Sequence, residues 1–262
     1  MDSTVTDLAA RTLWDTWSHA TRIDRLPESC RPGTEEEGFA MQLRMTELSG
    51  SHRAGWKIAA TSAAGQKHIG VPGPLAGTLL ASRVRPSPAS FSLAGNGMRV
   101  IEAEFAFRMG RTLAPRTQPY SVDEVLAAVE SLHPAIEVPD SRFNDFATAG
   151  GPQLIADNAC ASWFAPGAAT TADWRAMNLV EHAVTVRIGD TLAATGSGVN
   201  VLGDPRVALA WLANRLSAFG TPLSAGEIVT TGTCVVPVAV SVGDVAIADF
   251  GVLGSAQVTL EA

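Results

Sequence analysis

The stretch 99–109 constrains this chain most. Read as an extended strand, it puts Ile101, Ala103, Phe105, Phe107 and Met109 on one face and Glu102 and Glu104 on the other. Such clean alternation calls for a sheet with a face in a hydrophobic core. The composition allows one: of 262 residues, 46% are hydrophobic and 17% charged, the reverse of a disordered chain. The length accommodates one large domain, or one domain with a helical preface.

Helical signals come first along the chain. Residues 4–20 carry Val5, Leu8, Ala9, Leu13 and Trp17 at near-helical spacing. Thr34-Glu35-Glu36-Glu37 spells a capping box, opening a helix that runs to about Leu48 and stops before Gly50. From residue 55 the pattern turns mostly to β. A strand at 55–61 is followed by a Gly/Pro loop at 70–77 and the alternating strand at 99–109. A second capping box at Ser121-Val122-Asp123-Glu124 opens a helix with Val122, Val125, Leu126 and Val129 on one side. Further strands are expected at 134–138, in a hairpin at 184–192 that turns at Gly189-Asp190, and at 228–231, 235–240, 245–248 and 257–260. Between them, Asp204 caps a helix with Pro205 in its first position, which buries Val207, Leu209, Trp211, Leu212 and Leu216 and ends at Gly220. The expected fold class is α+β, with an N-terminal helical cap (1–54) on a β-rich body (55–262) as one continuous unit.

The net charge of -7, with no basic stripe, argues against nucleic-acid partners and against docking on anionic membranes. No run of 18 apolar residues occurs; the most apolar segment, 234–242, is interrupted by Pro237 and Ser241. Met1-Asp2-Ser3-Thr4 has neither a basic nor an apolar leader pattern, so no secretory signal is expected. Cys30, Cys160 and Cys234 are odd in number and lack metal spacing, which fits a reducing cytoplasm. The histidines (His19, His52, His68, His133, His182) form no HxxxH pair and read as surface or core groups. Cys160 reads as a packed thiol.

Glu102 and Glu104, at i and i+2, share a strand face about 6.6–7 Å apart along the chain. They repel unless a cation lies between them, and hard oxygen ligands suit Mg²⁺ or Mn²⁺ better than zinc. Glu137, in the alternating run Pro134-Ala135-Ile136-Glu137-Val138, offers a third carboxylate. The alternative is that Glu102 and Glu104 lie on a solvated strand face. Lys57 sits inside the apolar run Gly55-Trp56-Lys57-Ile58-Ala59. Burial would lower its pKa towards the range of a general acid or base; the alternative is a lysine snorkelling to the surface. Of the 19 basic residues only Lys57 and Lys67 are lysines.

Seven segments carry a resemblance: GWKIAATS (55–62), GTLLAS (77–82), IEAEFAFRMGR (101–111), PAIEVPDSR (134–142), ADNA (156–159), the long run 203–233 and ADFGVLGS (248–255). In this order they resemble the 2-keto-4-pentenoate hydratase / 4-oxalocrotonate decarboxylase family of the fumarylacetoacetate-hydrolase-like superfamily. The resemblance implies a mixed, strongly curved β-roll or barrel-like body with N-terminal helices packed on it. It implies that Glu102, Glu104 and Glu137 ligate one Mg²⁺ or Mn²⁺, and that Lys57 lies beside the substrate as an acid/base or electrostatic group. It also implies that the Gly232-Thr233 turn contacts the substrate's carboxylate end and that the chain forms a homo-oligomer. The implied substrate is a small unsaturated 2-oxo acid, chelated through its carboxylate and its keto or enolate oxygen.

Three departures from the family pattern bear on the reaction. Hydratases of this family usually carry an acid where this chain has Leu75. Ala159-Cys160-Ala161 stands where serines are common, and 143–155 differs from the usual hydratase text. The leading expectation is hydration of a 2-hydroxy-2,4-dienoate to a 4-hydroxy-2-oxo acid. Leu75 raises the alternative of a vinylogous 2-oxo acid decarboxylase. A C–C hydrolase of the superfamily and a non-catalytic metal-dependent binding protein rank below both.

Overall fold

The computed structural model describes residues 3–262; Met1 and Asp2, which open the acidic N-terminal run, lie outside them. The helices are α1 (Ser3–Ser18), α2 (Glu35–Leu48), α3 (Ala63–His68), α4 (Val122–Leu126), α5 (Gly151–Ala156) and α6 (Pro205–Ala218). The strands are β1 (Arg53–Ala59), β2 (Leu75–Leu80), β3 (Ala89–Ser92), β4 (Val100–Met109), β5 (Val129–Val138), β6 (Trp163–Pro166), β7 (Ala183–Ile188), β8 (Thr191–Ser197), β9 (Ile228–Thr233), β10 (Val238–Ala239), β11 (Val245–Asp249) and β12 (Ser255–Glu261).

The α+β expectation holds. The larger sheet runs β2-β1-β9-β4-β5-β6, with β10 also paired to β4, and it curls into half a barrel. The smaller sheet runs β3-β12-β11-β7-β8. Most pairings are antiparallel, but β1 lies parallel to β9 and β3 parallel to β12. β4 therefore sits inside the larger sheet, and both of its faces are covered: Ile101, Ala103, Glu104, Phe105 and Ala106 are all fully buried. The alternation in sequence had suggested one wet face; the curl closes over it.

Both capping boxes form as expected, with Thr34 and Glu37 at α2 and Ser121 and Glu124 at α4. Asp204 caps α6 by accepting from the Arg206 N–H. α2 lies between α1 and α5, and its Gln42 donates to the Ala76 and Ile155 carbonyls at 2.9 and 2.8 Å, tying the helices to β2. Phe39 of α2 stacks between Trp56 of β1 and Phe219 at the end of α6. Ala9, Leu13 and Met41 from the helices belong to the same core as Phe105 and Leu212 from the body.

Several boundaries differ from expectation. β2 begins at Leu75, so the end of the expected Gly/Pro loop is strand. β5 begins at Val129, which leaves α4 as a short helix. The strand expected at 235–240 shrinks to Val238–Ala239, because Pro237 cannot donate to a ladder and the bend before it leaves Val236 79% exposed. Leu8 and Val207 point outward at 47% and 43% exposure, since α1 buries the Ala9-Ala10-Leu13-Trp17 side and α6 the Ala208-Leu209-Leu212-Leu216 side.

Candidate metal centre

The β4–β5 ladder sets Glu102 directly opposite Glu137 and Glu104 opposite Ala135. Like charges placed opposite each other destabilise a sheet, yet here one ligand oxygen from each of Glu102, Glu104 and Glu137 lies within 4.8 Å of the others. Glu104 and Glu137 are fully buried and Glu102 is half-buried. For Glu104 the solvated-face alternative is thereby ruled out.

One oxygen of Glu104 is fixed by the neighbouring strand. Thr230 Oγ1 and the Gly232 N–H, the latter at 2.7 Å, both donate to Glu104 Oε2. The register explains how: Glu104 pairs with Thr233 but Ala106 with Thr230, so β9 carries one extra residue at this point. Gly232 takes up the bulge at a φ of 101°, where a Cβ would collide with the Thr61 side chain. Glycine is required there on both counts.

Lys57 comes from β1, where its register partners are Gly77 on β2 and Thr230 on β9. It is buried, and its Nζ lies 2.8 Å from Glu137 Oε1. Snorkelling is thus excluded, and in the metal-free chain its pKa does not fall as expected. Burial does work against the ammonium, but the charges of Glu137, Glu102 and Glu104 outweigh it, and the pKa lies above the ordinary lysine value. The reciprocal strain falls on the acids. Burial, then the charges of Glu137 and Glu102, pushes Glu104 well above the carboxylate range. Burial raises Glu137 to about 7 in spite of the opposing pull of Lys57.

These carboxylates suit a hard divalent cation. Glu104 Oε1 and Glu137 Oε2 are buried with no hydrogen-bond donor, which in a native interior calls for a partner. All the available donor atoms are carboxylate oxygens, the set preferred by Mg²⁺, Ca²⁺ or Mn²⁺. Three carboxylates, one dication and the Lys57 ammonium also sum to zero charge, which relieves the penalty of burying them.

The remaining candidates divide. Gly232 belongs to the cluster through its N–H, which is engaged by Glu104. Thr233 Oγ1 donates to the Val235 carbonyl within its own turn. Leu75 is buried on β2 opposite Ala59, on the same sheet face as Lys57 and Gly77. Cys160 is half-buried, but burial of the thiol, then the Asp157 charge, pushes it up to about 12, consistent with a packed thiol. His133 is held by Ser131 Oγ and the Gly167 carbonyl, both at 2.9 Å, as a core group.

Two supporting features were invisible in the sequence. Asn158, Ala159 and Cys160 are consecutive left-handed residues, at φ 57°, 49° and 61°. The Asn158 side chain bridges the backbone N–H and carbonyl of Thr78 at 2.6 and 2.7 Å, and Gly77 lets this turn press against β2. Beneath it lies the buried ion pair of Arg142 with Asp157, whose Oδ2 also accepts from Ser141 Oγ at 2.6 Å. The segments DSR and ADNA contain these residues, but nothing local in either reveals that they meet.

Comparison with known proteins is consistent with this geometry. The model of the family "Fumarylacetoacetate (FAA) hydrolase C-terminal" matches residues 82–261. The chain is 33% identical over 259 residues to a 2-keto-4-pentenoate hydratase of Paraburkholderia phymatum, covering 98% of this chain and 97% of the relative. It is 34% identical over 241 residues to a 2-hydroxyhexa-2,4-dienoate hydratase of Comamonas testosteroni, covering 90% and 86%. Among solved structures, 4-oxalocrotonate decarboxylase from Pseudomonas putida G7, complexed with magnesium and adipate, superposes with a TM-score of 0.89 at 24% identity, covering 99% and 98%. That last likeness is one of fold.

Proposed function

The chain belongs to the fumarylacetoacetate hydrolase family, and from that premise we propose that it is a divalent-metal-dependent lyase of small unsaturated 2-oxo acids, hydrating a 2-hydroxy-2,4-dienoate to a 4-hydroxy-2-oxo acid. The observation that carries this reading is the meeting of the Glu102, Glu104 and Glu137 carboxylates beside the Lys57 ammonium. The hydratase relatives, aligned over nearly the whole chain, support the substrate class.

Glu102, Glu104 and Glu137 would hold the metal, Mg²⁺ or Mn²⁺, with Thr230 and the Gly232 N–H fixing Glu104. A bound dication supplies the positive charge that stabilises negative oxygen as the substrate carbon gains or loses a proton. Lys57, whose ammonium lies against Glu137, gives its Nζ proton to the substrate carbon as the dienol becomes a ketone. The enol hydroxyl proton restores it. Water then adds to the distal carbon of the resulting enone: its oxygen bonds to that carbon, one O–H bond breaks, and the proton ends on the carbon next to the ketone. The Gly232-Thr233 turn is proposed to sit at the substrate's carboxylate end. A cytoplasmic location and homo-oligomeric assembly belong to the same proposal; no helix among the described residues is long and apolar enough to cross a membrane.

Leu75 favours a second reading. It places an apolar side chain on the Lys57 face of β2, where no acid is present to take a proton from water. A vinylogous 2-oxo acid decarboxylase needs no such acid. Incubation of the Mg²⁺-loaded protein with 2-hydroxypenta-2,4-dienoate and with an oxo-enedioate separates the two. A 4-hydroxy-2-oxo acid product supports the hydratase, whereas CO₂ release without hydrated product overturns it in favour of the decarboxylase. Tight binding of both compounds with no turnover would overturn both and leave a binding protein.

A further inference from the structure

A cavity of about 170 Å³ opens between the end of α1 and the edge formed by β3, the end of β5 and β6. Lys57 and the three glutamates do not line it. Its wall includes Arg22, Arg83 and Arg142 with a single carboxylate, Asp140, in a chain whose net charge is -7.

Two of these arginines are already paired. Arg22 Nη2 donates to both oxygens of Asp140, at 2.8 and 3.0 Å. Arg142 is buried against Asp157. Arg83 differs. Among the described residues it forms no ion pair and donates no hydrogen bond. It is held by two aromatic faces instead, its guanidinium carbon 4.3 Å from the Trp163 ring centroid and 5.3 Å from that of Trp17. Ring contacts of this kind fix a guanidinium while satisfying none of its five N–H donors. Burial, and then the charges of Arg142 and Arg85, lower its pKa; arginine nevertheless stays charged in proteins, so an anion placed there would relieve the repulsion and accept from its N–H groups.

We propose that this cavity is a second ligand site, separate from the metal centre, for a small oxyanion bearing a carboxylate or phosphate group. Arg83 is its anchor, aligned by Trp17 and Trp163, while the Arg22–Asp140 and Arg142–Asp157 pairs form a fixed, charge-balanced wall around it. The guanidinium fork matches the geometry of either group. Free phosphate and a small carboxylate metabolite share this chemistry. The proposal stands independently of the lyase assignment.

The test is calorimetric titration of the Mg²⁺-loaded full chain with inorganic phosphate in one arm and succinate in the other. Whichever probe binds more tightly identifies the source. Arg83→Met keeps the apolar stem against the tryptophans and is expected to weaken binding roughly tenfold to a hundredfold, the loss of charged hydrogen bonds, with Mg²⁺ affinity and turnover unchanged. Arg83→Lys keeps the charge without the fork and should fall between, which also distinguishes lost recognition from lost packing. Glu104→Gln should leave probe binding intact. The proposal is overturned if neither probe binds wild type, if Arg83→Met binds as wild type does, or if binding disappears with Glu104→Gln instead. A neighbouring subunit's carboxylate found on Arg83 in the assembled protein would also overturn it.

Discussion

Lys57 Nζ and Glu137 Oε1 stand 2.8 Å apart in the buried interior of the larger sheet, so one residue given an acid/base role touches one given a metal-ligand role. Replacing the lysine separates the two. Lys57→Met is expected to lower kcat by roughly 10²–10⁴-fold, the usual worth of a positioned proton donor. Mg²⁺ affinity should hold or rise, since a competing cation has left Glu137. Steady-state kinetics beside a Mg²⁺ titration checks this; unchanged turnover would remove Lys57 from the mechanism.

The raised carboxyls make a prediction about pH. In the metal-free folded chain, Glu104 and Glu137 hold protons where the unfolded chain has released them. Their folded values lie above their unfolded ones, so this contribution is complete below the ordinary carboxylate pKa and is lost as pH rises through about 7. The slope reaches about 1.4 kcal/mol per pH unit for each proton taken up. Lys57, also raised, titrates above this window and does not offset it. Thermal melts in EDTA should therefore show Tm falling from about pH 5 to pH 8, and the gain from added Mg²⁺ should grow over the same interval. A flat EDTA profile would refute the coupling.

Thr230 should matter through Glu104 alone. Thr230→Val keeps the shape and removes the donor, and outer partners of metal ligands typically contribute about 10–100-fold in affinity. A Mg²⁺ dissociation constant raised within that range, and restored by Thr230→Ser, is the expected result. Calorimetry on the three proteins checks it.

The Arg142–Asp157 pair is a structural liability if halved. Asp157→Ala leaves a buried guanidinium without its anion and is expected to destabilise by roughly 3–5 kcal/mol. Replacing both partners with apolar residues, as Arg142→Met with Asp157→Leu, should recover most of that loss. Urea melts of the single and double variants measure the difference.

Much of the fold could be read from local pattern. Helix starts depend on three or four adjacent residues, so Thr34, Ser121 and Asp204 were identifiable as caps. Glu102 and Glu104 were placed on one face because a strand's period is fixed. The direction of the Lys57 shift was not readable. From its own segment only desolvation is visible, and the charges that outweigh it arrive on β4 and β5. The Gly232 bulge, the Asn158 bridge to Thr78 and the Arg83 cavity were hidden for the same reason: each is defined by a partner distant in sequence. Leu75 and Val129 were misplaced because loop and helix signals beside them masked strands that are set by pairing rather than propensity.

The acidic triad depends on a single alignment of β4 with β5, in which Glu102 meets Glu137. A one-residue slip would turn Glu137 towards the opposite side of the sheet from Glu102 and Glu104. An ion captured by all three would therefore act as a proofreader of assembly, rewarding only chains whose central hairpin has zipped correctly. Catalytic competence and faithful folding would then be inspected at the same place.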